Sequence, residues 1–254
     1  MSLVRRIVAL VMLAAGGTLP AQSVAEHNAL GDREHDAFHP EAALAHYEAA
    51  LTLDSMNIHA LLKASLSAVD LGEGTSDKNK AAELFRLGER YGRRAVAVAP
   101  DDAESRFNLA RALGRAALNV GVRDRVKYAV EIRDQALAAL KIDPSHPGAL
   151  HVIGMWNAEV MRLNGLERFF AKNFLGGKIF SVANWKDAVS NLERAVEIDP
   201  TRLSHKLDLG LIYRDVGDKA KAREQLEAVV NGAQTDVNDP IYKRQAQQAL
   251  AKLS

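Results

Sequence analysis

The 254-residue sequence contains no cysteine, which excludes disulfides, thiolate metal sites and cysteine nucleophiles. Aromatic residues make up only 6% of the chain, and alanine and leucine dominate, a bias that favours close-packed helices over β-sandwiches. The formal net charge is only +1, so the chain lacks the basic excess on which binding to nucleic acid phosphates depends. We therefore expect a helical protein whose partner is not a nucleic acid.

The N-terminal residues have the pattern of a secretory signal peptide. Arg5 and Arg6 precede an uncharged apolar run at 7–15, and small residues with a proline follow it. Cleavage is predicted after residue 21, or as late as residue 25, and removing residues 1–21 leaves a formal net charge of −1. The alternative is an uncleaved membrane anchor, although two glycines and the proline interrupt the run. Since no cysteine is present for lipid attachment, we expect an exported chain, periplasmic or extracellular, with no transmembrane span after cleavage.

Similar helical segments recur along residues 24–254. Four of them end at a turn that contains proline or an Asp-Ser pair, and proline stops a helix because it cannot donate the next backbone hydrogen bond. The stops fall at Ser55, Pro100, Pro144 and Pro200, at intervals of 45, 44 and 56 residues. Recurring helical segments of this kind are typical of helical-hairpin repeats, which stack their apolar faces into one continuous core.

Small residues within these segments follow the tetratricopeptide (TPR) signature, which places Leu-Gly and Tyr in a first helix and Ala with a large apolar residue in a second. The matching positions are Leu30, Gly31, Ala43, Tyr47 and Ala50 in the first unit, Ile153, Gly154, Ala188, Leu192 and Ala195 in the fourth, and Leu209, Gly210, Tyr213, Ala222 and Leu226 in the last. The sequence therefore predicts an all-α, TPR-like α-solenoid of about five irregular units in a single domain, residues 24–254.

The units are longer than the 34 residues of a standard TPR unit. We predict the extra length mainly between the two helices of a unit, at 72–77, 119–126 and 164–184. After the last unit, Asp239 as N-cap and Pro240 at the first helical position predict a terminal capping helix, which repeat arrays need for solubility.

The segment GALHVIGMWNAEVMRLNGLERFFAKNFLGG, followed by a second helix that ends in ERAVEIDP, resembles the regulator of microtubule dynamics family. The resemblance covers most of residues 57–231 and rests on Gly154, Trp156, Glu159, Leu166 and Arg168, with their spacing to Pro200. It implies a TPR-like domain. Eukaryotic members are associated with microtubules and membrane contact sites, and related TPR domains with phospholipid binding. Because an exported protein would not meet tubulin, only lipid binding transfers to this chain, as a hypothesis.

Candidate binding residues lie on the first helices of the units, which line the inner surface of such an array. Phe107, Arg111 and Arg115 share one face at i, i+4 and i+8. The two arginines could bind a carboxylate or a phosphate in bidentate fashion. The alternative is that they pair with nearby acids such as Glu104 or Glu131. The neighbouring helix is expected to place three further residues beside them, namely His151, Met155 and Glu159.

The insertion at 164–184 concentrates four of the chain's seven phenylalanines within twelve residues, at Phe169, Phe170, Phe174 and Phe180. On a helix, Phe170 and Phe174 share a face, with Lys172 to the side. One hypothesis is a hydrophobic lip over the groove that grips an acyl chain, a peptide or a membrane surface. The alternative, which aromatic spacing generally favours, is that these side chains fill the core.

The sequence contains no catalytic or nucleotide-binding motif, so we expect neither an enzyme nor a cofactor. His35 and His39 lack a third ligand, so no metal site is predicted. The favoured function is a binding scaffold of the cell envelope that takes a protein or peptide partner in a concave groove. The alternative is a carrier of a lipid or another hydrophobic ligand, which requires a deep apolar cavity.

Overall fold

The computed structural model of the chain describes residues 23–163 and 179–253. Within these two ranges the chain forms eleven α-helices and no β-strand. The helices are α1 (Val24–Asp36), α2 (Pro40–Leu53), α3 (Ile58–Gly74), α4 (Lys78–Val98), α5 (Ala103–Ala116), α6 (Val122–Ile142), α7 (Pro147–Arg162), α8 (Trp185–Ile198), α9 (Leu203–Asp215), α10 (Lys219–Asn231) and α11 (Asp239–Leu250). Two short 3-10 helices, Ala117–Asn119 and Ile179–Val182, precede α6 and α8.

Consecutive helices pack in pairs, α1 with α2, α3 with α4, α5 with α6, α7 with α8, and α9 with α10. The second helix of each pair also packs against the first helix of the next pair, and α11 packs against α10 and α9. The arrangement is the predicted α-solenoid of five helical-hairpin units with a terminal helix, so the predicted fold class is confirmed.

The helix ends follow from local chemistry. Four helices end two residues before the predicted stops, at Leu53, Val98, Ile142 and Ile198. Helix starts are capped as well. At the start of α4, the carboxylate of Asp77 accepts hydrogen bonds from the backbone N–H groups of Asn79 (2.9 Å) and Lys80 (3.2 Å). Proline occupies the first turn of α2, α7 and α11, where its missing N–H costs nothing.

The extra length of the second unit lies in longer helices and not in the predicted loop at 72–77. Helix α3 continues through Gly72 to Gly74, which leaves only residues 75–77 before α4, and α4 and α6 are each 21 residues long. A Cβ added to Gly72 would lie 2.4 Å from the ring of Phe85. Gly72 therefore remains helical because its missing side chain admits Phe85, a tertiary contact that outweighs its weak helix propensity. The predicted loop at 119–126 is likewise wrong for residues 122–126, since α6 begins at Val122.

The signature glycines admit a large side chain from the second helix of the same unit. A Cβ added to them would lie 2.5 Å from Tyr47, 2.8 Å from Leu192 and 2.9 Å from Leu226, for Gly31, Gly154 and Gly210 respectively. Tyr47, Leu192 and Leu226 are fully buried. The predicted role of these positions, close approach of two helices, is confirmed in all three units.

Candidate functional site

The first helices of the five units (α1, α3, α5, α7 and α9) form one face of the array, called here the inner wall. Each member contacts the next one directly, from α1 through α9, in addition to its own second helix. The inner wall is therefore continuous. In solenoids of this type, the extended concave surface is the usual binding surface.

Arg111 and Arg115 of α5 lie in the inner wall beside two carboxylates of α3. Arg111 Nη2 is 2.5 Å from Asp70 Oδ1 and 3.7 Å from Glu73 Oε1, and Arg115 Nε is 2.8 Å from Glu73 Oε1. The side chains of Asp70 and Glu73 are 1% and 8% exposed, whereas 20% of Arg111 and 39% of Arg115 remain exposed. The structure thus brings the two predicted arginines together, with their charge balanced inside the wall.

The acids that pair with these arginines are not those that the sequence suggested. Glu104 instead accepts a hydrogen bond from Asn108 (2.7 Å) and lies 3.1 Å from His146 Nε2. Glu131 forms a bidentate pair with Arg93, at 2.5 and 2.9 Å. The true partners are about forty residues earlier in the chain, on the neighbouring first helix, and only the stacking of units brings them within reach.

Burial raises the pKa of Asp70 to about 6, and the nearby Arg111 offsets only part of this effect, while Asp236 and Glu73 add to it. Asp70 Oδ2 is buried and has no hydrogen-bond partner among the described residues. Burial by itself lowers the pKa of Arg111, but the carboxylates of Asp70 and Glu73 raise it above its ordinary value. The guanidinium is therefore charged, and the ionised form of Asp70 depends on it.

His151 of α7 reaches across the inner wall to α9. Its Nε2 lies 3.0 Å from Asp208 Oδ2, and its ring centroid is 4.7 Å from that of His205. His205 is buried, and burial lowers its pKa to about 2, with further lowering by His151 and Arg202. Met155, one turn after His151, packs against the core of the last unit. Both predicted residues therefore lie at the contact between the fourth and fifth units.

Glu159, the last predicted residue on α7, is the most accessible of the set. Its side chain is 63% exposed and lies 2.5 Å from Arg162 Nη1. Arg162 also pairs with Asp215 of α9, at 2.6 Å. The accessible carboxylate of Glu159 thus continues the row of charged side chains along the inner wall.

Phe107 packs between the third and fourth units. Its ring centroid is 4.8 Å from that of His146, and a Cβ added to Gly148 would lie 2.4 Å from its ring. It also contacts the buried cluster that contains Ala139 and Ala149. Phe107 therefore holds neighbouring units together, and ligand binding by this residue stays a prediction.

Four predicted residues of the insertion, Phe169, Phe170, Lys172 and Phe174, lie outside the described residues. Phe180 is described and is buried against Trp156, with stacked rings whose centroids are 5.9 Å apart. The indole Nε1 of Trp156 donates a hydrogen bond to the carbonyl oxygen of Ala129 (2.8 Å), and Arg133 lies over its ring. For Phe180, core packing is therefore the correct interpretation.

Helix α11 and the residues before it reach back to α3, a contact that the sequence pattern did not predict. Asn238 Nδ2 donates to the carbonyl oxygen of Asp70 (3.2 Å), and Tyr242 Oη donates to Glu73 Oε2 (2.6 Å). Burial and the Glu73 carboxylate raise the pKa of Tyr242 above its ordinary value. This contact between residues 235–242 and the first two units is called here the seam. The signal in the sequence was a tyrosine and an Asn-Asp pair at the start of the last helix.

Two cavities of about 200 Å³ each open on the described residues. One lies at the seam, between His35, Asp36 and Phe38 on one side and Arg202, Thr235 and Asp236 on the other. The second lies beside Trp156, between residues of α6, α7 and α8. Both are smaller than the pockets that usually hold a drug-sized ligand, roughly 300–1,000 Å³.

Within residues 23–163 and 179–253, no group of three or more His, Asp or Glu side chains is arranged to bind a metal ion. The helices of the same ranges include none that is both long enough and apolar enough to cross a membrane.

Comparisons with known proteins identify the architecture. A family model described as regulator of microtubule dynamics protein 1-3 matches residues 28–254. The structure of TTC0263, a thermophilic TPR protein in Thermus thermophilus, is similar to 89% of this chain and 100% of that chain, at 18% identity and a TM-score of 0.64. MamA shares 17% identity over 84% of this chain and 97% of that chain (TM-score 0.47). YrrB, described as a TPR protein with an unusual peptide-binding site, shares 16% identity over 89% of this chain and 91% of that chain (TM-score 0.44). A search of curated proteins found no match.

Proposed function

Because the chain belongs to the regulator of microtubule dynamics protein 1-3 family and has a TPR fold, we propose that it is a non-enzymatic scaffold of the cell envelope. Its inner wall takes a protein or peptide partner. Arrays of helical hairpins present extended surfaces of this kind to other proteins. The observation that carries the proposal is the row of charged side chains that runs along the inner wall from α3 to α9.

The row consists of three arginine–carboxylate ion pairs and one histidine–carboxylate contact, each of which connects one first helix with the next. The pairs are Arg111 with Asp70, Arg115 with Glu73, His151 with Asp208, and Arg162 with Asp215. Each pair fixes the position of its side chains, so the charges are oriented before a partner arrives. A preorganised surface loses less conformational entropy on binding, and complementary charges select one partner over another.

Arg115 supplies the part of this row best suited to a carboxylate of the partner. Arginine carries five N–H donors, and Nε is the nitrogen that lies beside Glu73, 2.8 Å from its Oε1. Since 39% of the side chain is exposed, its terminal nitrogens can form a bidentate contact with an acidic side chain. Glu159 on α7 adds an exposed carboxylate for a basic residue of the same partner.

The cell-envelope location rests on residues 1–21, which have the pattern of a signal peptide and lie outside the described residues. The start of α1 supports cleavage after residue 21. Ser23 caps this helix: its Oγ accepts from the backbone N–H of Glu26 (3.2 Å), and its own N–H donates to Glu26 Oε2 (2.6 Å). Cleavage after residue 21 keeps this capping box, whereas cleavage after residue 25 removes Ser23.

Site-specific photocrosslinking in the producing cells tests the proposal. The photoreactive residue p-benzoylphenylalanine replaces Glu159 on the inner wall in one variant and Glu197 on α8 in the matched control, since both glutamates are exposed. We expect a discrete crosslinked protein from position 159 and only background from position 197. Equal crosslinking from both positions would show that the inner wall is not the binding surface.

Native mass spectrometry of the protein purified from the exported fraction separates the scaffold from the alternative carrier. A scaffold yields the mass of the bare chain, cleaved after residue 21. A bound phospholipid or fatty acid would overturn the scaffold and favour the carrier of a hydrophobic ligand. Recovery of the chain in the cytoplasm with residues 1–21 intact would contradict the location.

A further inference from the structure

The seam joins parts of the chain that are 168 and 169 residues apart. Each of the chain's five tyrosines donates its hydroxyl to a carboxylate. The other four do so within a unit or between adjacent units, from Tyr47 to Asp32, Tyr91 to Glu48, Tyr128 to Glu89 and Tyr213 to Glu193. Tyr242 alone connects the end of the array with its second unit. The seam is therefore an additional closure that stacking of neighbouring units does not require.

The apolar side chains of α11 belong to the last unit and not to the seam. Ala246, Ala249 and Leu253 are buried in the cluster that includes Leu207 and Leu226 of the last unit. The ring of Tyr242 is buried in the same cluster, but its hydroxyl and the side-chain amide of Asn238 reach α3 through hydrogen bonds. A cavity of about 200 Å³ lies beside the seam. Opening the seam thus breaks polar contacts with α3, while Ala246, Ala249 and Leu253 remain packed against the last unit.

The seam is held to α3 by hydrogen bonds, whereas α11 is held to the last unit by apolar packing, and the two kinds of contact differ in free energy. A polar group that leaves a protein hydrogen bond regains one with water, so the bond of Asn238 to a carbonyl contributes a net factor of only about 2–10 to an equilibrium, and the bond of Tyr242 to a carboxylate about 10–150. Packing in the apolar cluster is far more costly to undo, because buried methyl and ring groups have no such compensation. The closed array therefore opens at the seam more readily than between its stacked units.

We infer that the seam is an intramolecular latch that controls access to the inner wall. Closed, it places Tyr242 against Glu73, beside Arg115 and Arg111. Open, it frees two acceptors on α3, the carbonyl oxygen of Asp70 and the carboxylate of Glu73. The inference rests on the proposed function, because the molecule admitted is the protein or peptide partner proposed there.

The latch also indicates what kind of partner fits. Asn238 and Tyr242 are four residues apart at the start of a helix, so their side chains share one face. A segment that replaces them must supply the same donors. The partner is therefore a helix that carries a side-chain amide and, one turn later, a phenol.

The distance between spin labels on α2 and α11, measured by pulsed EPR in the full chain, reports whether the latch is closed. Since the sequence has no cysteine, Ala45→Cys on α2 and Gln248→Cys on α11 introduce the only two labelling sites, both at exposed positions. In this background Asn238→Ala with Tyr242→Phe removes both hydrogen bonds of the latch. Tyr213→Phe is the matched control, because it removes a tyrosine–carboxylate bond elsewhere.

We expect a broader and longer distance distribution for the latch variant, and the parent distribution for the control. Parent-like distances in the latch variant would overturn the inference. Single Tyr242→Phe, which removes one hydroxyl, repeats the test if the double variant loses helical content.

Binding of a fluorescent peptide of residues 235–253 tests access and partner chemistry together. We expect the latch variant to bind it at least about fivefold more tightly than the parent chain, since the bound segment no longer competes. A peptide with alanine and phenylalanine in place of its asparagine and tyrosine should lose this advantage. Equal affinity of the parent and latch variants would refute the latch. Success here with no crosslink from position 159 would instead refute the proposed function alone.

Discussion

Replacing Arg111 with methionine tests whether this side chain is a structural partner of Asp70 or a group that is free to bind a ligand. Methionine keeps the apolar stem of arginine and removes the charge. The carboxylate of Asp70, which is 1% exposed, then loses its counter-ion. A buried charge without a partner is costly, so the variant should be much less stable than the parent chain.

The expected loss is large compared with that of an exposed ion pair. Removing one partner of a buried pair costs about 3–5 kcal/mol. For a chain of this size each kcal/mol lowers Tm by about 2–4 °C, which predicts a decrease of roughly 6–20 °C. If Arg111 were a solvated ligand-binding residue, the loss would be about 1 kcal/mol or less.

The dependence on pH follows from the pKa of Asp70, which burial raises to about 6 and which must rise further without Arg111. A folded pKa above the unfolded value of about 3.9 means that stability is fully present below the unfolded pKa and is lost as the pH rises through the folded one. The loss caused by Arg111→Met should therefore be largest near pH 7 and much smaller near pH 4, where Asp70 is protonated.

Thermal and urea unfolding, followed by circular dichroism at both pH values, measures these losses. Arg115→Met is the matched control on the same helix. Its side chain is 39% exposed and its partner Glu73 keeps the hydrogen bond from Tyr242, so we expect a loss of about 1 kcal/mol. A loss for Arg111→Met that is no larger than this, or that is equal at the two pH values, would refute the structural role of Arg111.

Three further predictions concern packing and protonation. Gly154→Ala should destabilise the fold by about 1–2 kcal/mol in urea unfolding, because its Cβ would lie 2.8 Å from Leu192, whereas Gly114→Ala, with nothing within 4 Å, should stabilise it by up to about 1 kcal/mol. His205→Gln should flatten the stability profile: burial lowers the folded pKa of His205 to about 2, so its contribution is present above about pH 6.5 and falls by about 2 kcal/mol between pH 7 and pH 5. Phe180→Ala should cost about 3–5 kcal/mol and alter the near-ultraviolet circular dichroism of the stacked tryptophan, and an unchanged Tm would place Phe180 outside the core.

The order and ends of the helices could be predicted because their causes are local. Proline after residues 98, 142 and 198 stops each helix through its own ring and missing N–H. The pairing of Gly154 with Leu192, and of Gly210 with Leu226, could be predicted from a signature in which one position must be small so that another can be large. The predicted loops were wrong where a tertiary contact outweighed the local preference of a residue. Gly72 breaks helices in general, but here it remains helical against Phe85.

The sequence predicted which residues belong to the candidate site, but it did not predict which of them form pairs. The sequence placed Arg111 and Arg115 on one face of α5, and that spacing follows directly from the helical repeat. It could not name Asp70 and Glu73 as their partners, because an acid in the neighbouring unit is equivalent in the sequence to many others. Which carboxylate is near depends on how α3 and α5 stack.

The sequence by itself determined the repeat architecture, the unit boundaries and the small residues at which helices approach, because hydrogen-bond donors, ring constraints and side-chain volumes act over a few residues. Only the tertiary structure decided that the last helix returns to the second unit. Small rotations between successive units accumulate along a solenoid, and their sum determines whether its ends meet. The contacts of Asn238 and Tyr242 with α3 are the result of that sum, and no local pattern in the chain records it.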